Sequence, residues 1–181
     1  KDQVQHLEIT RDIATKFNST YGETFVIPEV KVDEQVMIVP GTDGQKMSKS
    51  YNNFINIFLP EKELKKSVMG IVTDAKTLEE PKDPETCNVY KLYQLLADAT
   101  QLEEMRKNYL QGNFGYGHAK TALFQLILDK FNNARSEYER LMNDKPTLDN
   151  ELKKGEEKAR TIASDVLSRV RGKLGFRTLR F

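Results

Sequence analysis

Apolar positions change rhythm twice along the chain. From Asp2 to about Asn18, Leu7, Ile9, Ile13, Ala14 and Phe17 gather on one stripe of a helix. Asp2 is suited to cap its start, and Asn18-Ser19-Thr20-Tyr21-Gly22 to end it. Short dense runs then replace the helical spacing: Phe25-Val26-Ile27 stopped by Pro28, Val36-Met37-Ile38-Val39 before Pro40-Gly41, and Phe54 to Leu59 closed by Pro60. Runs of this length, bounded by proline and glycine, predict short strands.

After Pro60 the spacing is helical again. Glu61 to Met69 starts behind a proline, carries acids in its first turn and stops at Gly70. Thr73 to Cys87, polar and holding Pro81 and Pro84, reads as a connecting loop. Val89, Leu92, Leu95, Leu96 and Ala99 predict a helix from Asn88 to Ala99. Thr100 with Glu103 forms a capping-box pattern for a short helix ending near Gln111-Gly112, and Gly112 to Gly117 reads as a turn. In His118 to Asn143, Leu123, Ile127, Phe131, Ala134, Tyr138 and Leu141 step by three or four, which makes a packed seam. Pro146 breaks it. A last helix follows from about Leu148 to Lys173, with Leu152, Ala159, Ile162, Ala163, Val166 and Val170 as its apolar face and Gly155 as a weak point. Arg177 to Phe181 is expected to be loose.

Residues 1–60 therefore read as a short α/β segment and residues 61–181 as an all-helical bundle. A few short strands leave most of their edges unpaired, so partners are expected upstream of Lys1. The chain also opens at Lys1-Asp2-Gln3 without a methionine, as expected of a piece of a longer protein. Composition adds little. With 38% hydrophobic and 30% charged residues and a mean hydropathy of −0.61, the profile is that of a charge-rich globular protein. Lys and Arg number 28 against 27 Asp and Glu, so bulk charge offers no ground for nucleic-acid binding. The segment from Glu151 to Phe181 differs, with nine bases against four acids. One cysteine, Cys87, excludes an intramolecular disulfide and suits a reducing compartment. Two distant histidines and no cysteine pair give no zinc spacing. No apolar run approaches a membrane span and no signal peptide is present, so a cytoplasmic protein without membrane contact is expected.

The candidate chemistry lies in Lys46-Met47-Ser48-Lys49-Ser50, preceded by Pro40-Gly41-Thr42-Asp43-Gly44-Gln45 and followed by Tyr51-Asn52-Asn53. Two flexible ammonium groups flank a small hydroxyl, glycines allow close backbone approach to an anion, and serines add donors without bulk. Such a loop suits a polyphosphate. A solvated polar turn is the alternative reading of the same residue types.

In order, Lys46 to Ser50 resembles the second signature of the class I aminoacyl-tRNA synthetases. The resemblance narrows at Asp2-Gln3-Val4-Gln5-His6-Leu7-Glu8, at Thr10 to Ala14, at Phe17-Asn18, at Ile27-Pro28-Glu29 and at Lys154-Gly155-Glu156-Glu157-Lys158-Ala159. Together these are similar to the C-terminal half of the bacterial-type tryptophanyl enzymes. Lys1 departs from the acidic residue often found there. The resemblance implies a mostly α fold: the C-terminal remnant of a Rossmann-like α/β nucleotide-binding domain in residues 1–60, then a helical domain for the tRNA anticodon in residues 61–181.

What the resemblance implies about function is concrete. ATP would activate L-tryptophan to tryptophanyl-adenylate, which passes to tRNA(Trp), in an enzyme expected to be a homodimer. Lys46 and Lys49 would hold the phosphates and the departing pyrophosphate, with Met47, Ser48 and Ser50 completing the ATP site. Asp2 would lie beside ATP, Val36 and Met37 would flank adenine, and Gln3 would approach tryptophan. Mg²⁺ would be held mainly through ATP. Without the resemblance, Asp2 is simply a helix cap and Val36 and Met37 are strand core. His6 and His118 have no carboxylate or nucleophile at an informative spacing, and Cys87 carries no motif. Lys120, Arg135, Lys158 and Arg160 are candidates for contacts to RNA, and mixed-charge helices are also ordinary solvated faces. Two alternatives stay open at this point: a tyrosyl-type class I enzyme, and a non-catalytic helical module that binds RNA or protein.

Overall fold

A computed structural model describes residues 3–31 and 39–176. Its regular structure is helical: α1 (Val4–Tyr21), α2 (Glu61–Met69), α3 (Asn88–Gln94), α4 (Ala99–Gln111), α5 (Tyr116–Asn143) and α6 (Lys145–Lys173). The chain divides into two units, one of residues 35–140 and one of residues 1–34 with 141–181.

In the unit of residues 35–140, helix ends follow from local chemistry. The carbonyl of Pro60 accepts from the Glu63 and Leu64 N–H groups, both at 2.9 Å, so α2 starts behind the proline. Gly70 N–H returns to the carbonyls of Lys66 and Ser67 and closes it. The expected single helix over Asn88 to Ala99 is in fact two. α3 ends at Gln94, and α4 is started by Asp98, whose side chain accepts from Gln101 N–H (2.9 Å) while Gln101 Oε1 accepts from Asp98 N–H (3.0 Å). Asp98-x-x-Gln101 is thus the capping box, and Thr100 with Glu103 lies inside the helix. Both pairs have the right spacing, and the earlier one is where the side-chain and backbone groups meet reciprocally.

That core joins Leu64 and Val68 of α2, Val89 and Leu92 of α3, Tyr109 of α4, and Leu123 and Ile127 of α5. Tyr109 is fully buried and rings with Tyr90 at 5.4 Å and Tyr116 at 6.3 Å. Cys87 is buried here too, with Sγ 3.4 Å from the Tyr109 hydroxyl, rather than on the surface of a polar loop. The loop after α2 is held by Lys82, which is 2% exposed. Its ammonium donates to the carbonyls of Thr77, Leu78 and Glu80 and sits 5.6 Å from the Tyr116 ring centre. A cation buried in this way needs several acceptors, and a cluster of backbone carbonyls supplies them.

In the other unit, α1 has Gln3 as its N-cap residue, without a capping side chain, and buries only Ala14. α6 begins before Leu148: Asp144 caps it by accepting from Thr147 N–H (3.2 Å), and Pro146 occupies its first turn instead of separating two helices. No residue of α6 is buried.

Among the described residues no strand forms; the only ladder-like element is an isolated antiparallel bridge between Pro40 and Lys46. The expected strand at Phe25–Ile27 is replaced by a side-chain clasp. Asn18 Oδ1 accepts from Thr24 and Phe25 N–H (3.0 and 2.9 Å), and its amide donates to the Phe25 carbonyl (2.8 Å). Phe54–Leu59 forms no strand, and its second half is a turn. Asn56 Oδ1 takes the Phe58 N–H (3.0 Å) and the Asn56 carbonyl takes that of Leu59, which turns the chain before Pro60. Asparagine competes here for backbone groups that a strand would give to a neighbour. Of Val36–Val39, only Val39 lies among the described residues, outside any strand.

Candidate functional site

The signature segment is built as a fixed base carrying an exposed tip. At the base, Met47 N–H donates to the Val39 carbonyl (2.9 Å) and Gly41 N–H to the Gln45 carbonyl (2.7 Å), around the Pro40–Lys46 bridge. Thr42 ties this base to its surroundings: its N–H donates to the Asn53 carbonyl and its own carbonyl accepts from Val72 N–H, both at 2.8 Å. Gly44 has φ +83°, and a Cβ there would stand 2.5 Å from Asn88 Nδ2, so both conformation and space call for glycine.

Met47 is half-buried and packs on the helical core. With Val39, Ile55 and Ile57 it lines an apolar cavity of about 170 Å³ whose other walls come from α3 (Leu92), the link after it (Leu96) and α5 (Leu123 and Phe131). The tip is different. Lys46, Lys49, Ser50 and Tyr51 are exposed, the Ser48 and Ser50 hydroxyls share a hydrogen bond of 2.8 Å, and Asn52 N–H turns back to the Lys49 carbonyl (3.2 Å). Two exposed lysines thus stand on a turn that also offers hydroxyl and amide donors. Chemically this is an anion-gripping arrangement that can lengthen or shorten its reach by side-chain rotation.

Asn53 was not singled out by sequence reasoning beyond its place after Tyr51-Asn52. It is 3% exposed. Its side chain accepts from Ser48 N–H (2.7 Å) and donates to Asp43 Oδ1 (2.8 Å) and the Lys46 carbonyl (3.1 Å). No composition or periodicity signal separates such an asparagine from a solvated one.

The remaining candidates scatter. Asp2, Val36 and Met37 lie outside the described residues. Gln3 is exposed at the start of α1, where its carbonyl accepts from Leu7 N–H. His6 is exposed on α1, and His118, at the start of α5, stacks near Phe114 with ring centres 5.6 Å apart. Arg135 is corrected from a candidate RNA contact to a structural residue: it is buried and donates to the Ile57 carbonyl. Lys120 donates to the Met69 carbonyl (3.0 Å), and partial burial lowers its pKa. On α6, Lys158 and Arg160 are exposed, Arg160 pairing with Glu156. Among the described residues no cluster of three His, Cys, Asp or Glu is placed to hold a metal ion, and no helix is long and apolar enough to cross a membrane.

A helical chain with this loop has known counterparts. The chain belongs to the class I tRNA synthetases of the tryptophan and tyrosine (W and Y) type, whose family model matches residues 1–132. Within that class its relatives are specific. The tryptophan–tRNA ligase of Fusobacterium nucleatum is 50% identical over 176 residues, which cover 97% of this chain and 54% of that protein. That of Campylobacter jejuni is 46% identical over 175 residues, covering 97% and 55%. A crystal structure of the C. jejuni tryptophanyl-tRNA synthetase, complexed with ADP and tryptophan, matches with a TM-score of 0.83, covering 97% of this chain and 55% of that one. The chain spans about half the length of the curated relatives it matches.

Proposed function

We infer that this chain is the C-terminal part of a tryptophan–tRNA ligase, with the signature loop as its ATP-phosphate grip. One observation carries the reading: the Lys46–Ser50 signature is intact within a chain that is half identical, over 97% of its length, to a tryptophan–tRNA ligase. The tryptophan carboxylate attacks the α-phosphate of ATP in line, giving tryptophanyl-adenylate and pyrophosphate, and the 3′ end of tRNA(Trp) then takes the tryptophanyl group. Little proton transfer is needed in the first step, so catalysis rests on positioning and on stabilising charge at the leaving group. Lys46 and Lys49 supply that charge, and Ser48 and Ser50 add donors. Met47, packed on the core, holds the loop. The lysines act best if their grip tightens as pyrophosphate departs.

Gln3 is assigned to the tryptophan, Asp2 to ATP, and Val36 with Met37 to the two sides of adenine. Mg²⁺ travels with the ATP oxygens and water, in keeping with its preference for phosphate and retained water. Residues 1–60 belong, in this reading, to a Rossmann-like nucleotide-binding domain that the longer protein completes, and residues 61–181 to the domain that meets the anticodon. The whole enzyme is a cytoplasmic homodimer.

The test is tryptophan-dependent pyrophosphate exchange by the full-length gene product. Lys46→Ala and Lys49→Ala are each expected to lower kcat by about 100-fold or more, with tRNA binding changed by no more than about twofold. The 181-residue chain alone is expected to show no exchange. Exchange supported by tyrosine instead of tryptophan moves the protein to the sister specificity, and loss of tRNA binding with unchanged exchange in the lysine variants removes the assigned role.

A further inference from the structure

Resting on the synthetase reading of the loop, we propose that Asn53 is the positioning residue of the signature segment, with Asp43 as its partner, and that it sets where Lys46 and Lys49 stand when the phosphates arrive. The argument is geometric. A buried carboxamide offers two donor hydrogens and one acceptor oxygen, and here each has a partner on the loop. The oxygen receives Ser48 N–H at 2.7 Å, and the nitrogen serves Asp43 Oδ1 at 2.8 Å and the Lys46 carbonyl at 3.1 Å. The backbone carbonyl of the same residue receives Thr42 N–H at 2.8 Å. One residue therefore holds both sides of Met47: the carbonyl that leaves Lys46 and the amide that enters Ser48.

The loop is shaped to admit it. A Cβ at Gly41 would stand 2.5 Å from Asn53 Cγ and Nδ2, so the backbone at residue 41 passes against the amide with no room for a side chain. Asp43 is itself fixed, since its Oδ1 also accepts from Gln45 N–H at 2.9 Å. The exposed tip beyond Ser48 is ordered by the Ser48–Ser50 hydroxyl contact, the Ser50 N–H on the Ser48 hydroxyl (3.3 Å) and the Lys49–Asn52 turn. Lys49 thus follows the direction in which Asn53 launches Ser48, and the backbone of Lys46 is fixed by the same amide. Asn53 holds the backbone at Lys46 and Ser48 and the side chain of Asp43, so its effect on chemistry passes through loop geometry.

Asn53→Asp keeps the shape and the acceptor but replaces the donor with an oxygen that faces the Asp43 carboxylate and the Lys46 carbonyl. In the full-length enzyme it is expected to lower kcat for tryptophan-dependent pyrophosphate exchange by about 100-fold, because a misplacement near 1 Å costs that much, with the KM for ATP changed by less than about threefold. The exchanged pair Asp43→Asn with Asn53→Asp restores a donor opposite the carboxylate and is expected to recover at least about tenfold of that loss. Thermal unfolding of each variant separates geometry from folding. If Asn53→Asp does not fold, Asp43→Ala at the exposed end of the pair decides: a fall in kcat of about fivefold or more at unchanged Tm supports the role, and a kcat within about twofold of wild type overturns it. A folded Asn53→Asp enzyme with kcat within about threefold of wild type overturns the role, as does an exchanged pair no better than the single variant. A wild-type enzyme with no tryptophan-dependent exchange is a different failure, since it sinks the synthetase reading on which the role depends.

Discussion

The two units carry equally clear helical patterns and bury very different amounts of them. In residues 35–140, the positions that the spacing marks as apolar are inside: Leu64, Val68, Val89, Leu123 and Ile127 are all at most 3% exposed. In the other unit, Ile9 and Ile13 of α1 and Leu152 and Ile162 of α6 are exposed by 51, 62, 63 and 69%. Periodicity reports which face a helix offers, whereas burial depends on what is there to receive it. The stabilising free energy of this chain is therefore concentrated in residues 35–140, beneath the signature loop; α6 stands more on its own propensity and its Asp144 cap, and α1, without a capping side chain, more on propensity.

The sharpest way to break that contrast is to truncate one buried and one exposed position. Leu123→Ala removes a side chain that is 1% exposed beside the apolar cavity, and is expected to cost about 3 kcal/mol, within the range for buried leucine. Ile162→Ala, at 69% exposure, is expected to cost about 0.5 kcal/mol or less. Urea unfolding followed with hydrogen exchange in each unit reads both. Equal losses would mean that α6 is packed as firmly as α5.

A smaller effect, confined to alkaline pH, sharpens the same point. Tyr109 is fully buried, and burial first, with the Cys87 hydrogen bond second, raises its pKa far above the ordinary tyrosine value. The folded chain therefore keeps that proton while the unfolded chain releases it near pH 10. The contribution is fully present below about pH 10 and is lost as pH rises further, at about 1.4 kcal/mol per pH unit. Tyr109→Phe is expected to reduce the slope of stability against pH by about that amount between about pH 10.5 and 12, while leaving the share of Tyr93 and Tyr116, whose pKa values are also raised. Urea midpoints across that interval check it; an unchanged slope would mean that the hydroxyl reaches water.

How much of this was legible in the sequence follows the kind of interaction. Helices α2 and α5 were readable because a repeated apolar spacing is a property of the segment itself, and the lysines of the signature were readable because their order is distinctive. Strands were misread at Phe25–Ile27 and Phe54–Leu59 because a strand exists only with a neighbour, and Asn18 and Asn56 claimed the backbone groups instead. Asn53 and Lys82 were missed for a related reason. Each is a polar residue in a polar stretch, and only the folded backbone shows that Asn53 sits under the loop and that Lys82 is ringed by three carbonyls. The pattern tells which groups want burial; it is silent on polar groups whose burial is made tolerable by partners far from obvious in sequence.

The smallest expected effect probes the less buried unit directly. Gly155 lies within α6, and a Cβ built there meets nothing within 4 Å. Gly155→Ala therefore introduces no clash, removes backbone freedom from the unfolded chain and improves helix propensity, which together favour the helix by about 0.5–1 kcal/mol. The gain should appear as slower hydrogen exchange along α6, while amides of α3 to α5 keep their protection. This pairing matters more than the size of the gain. If Gly155→Ala protects α6 alone, the helix opens independently of the core and the contrast between the units is energetic as well as geometric. If protection rises equally in both, the two open together, and the low burial of α6 understates its coupling to the rest of the chain.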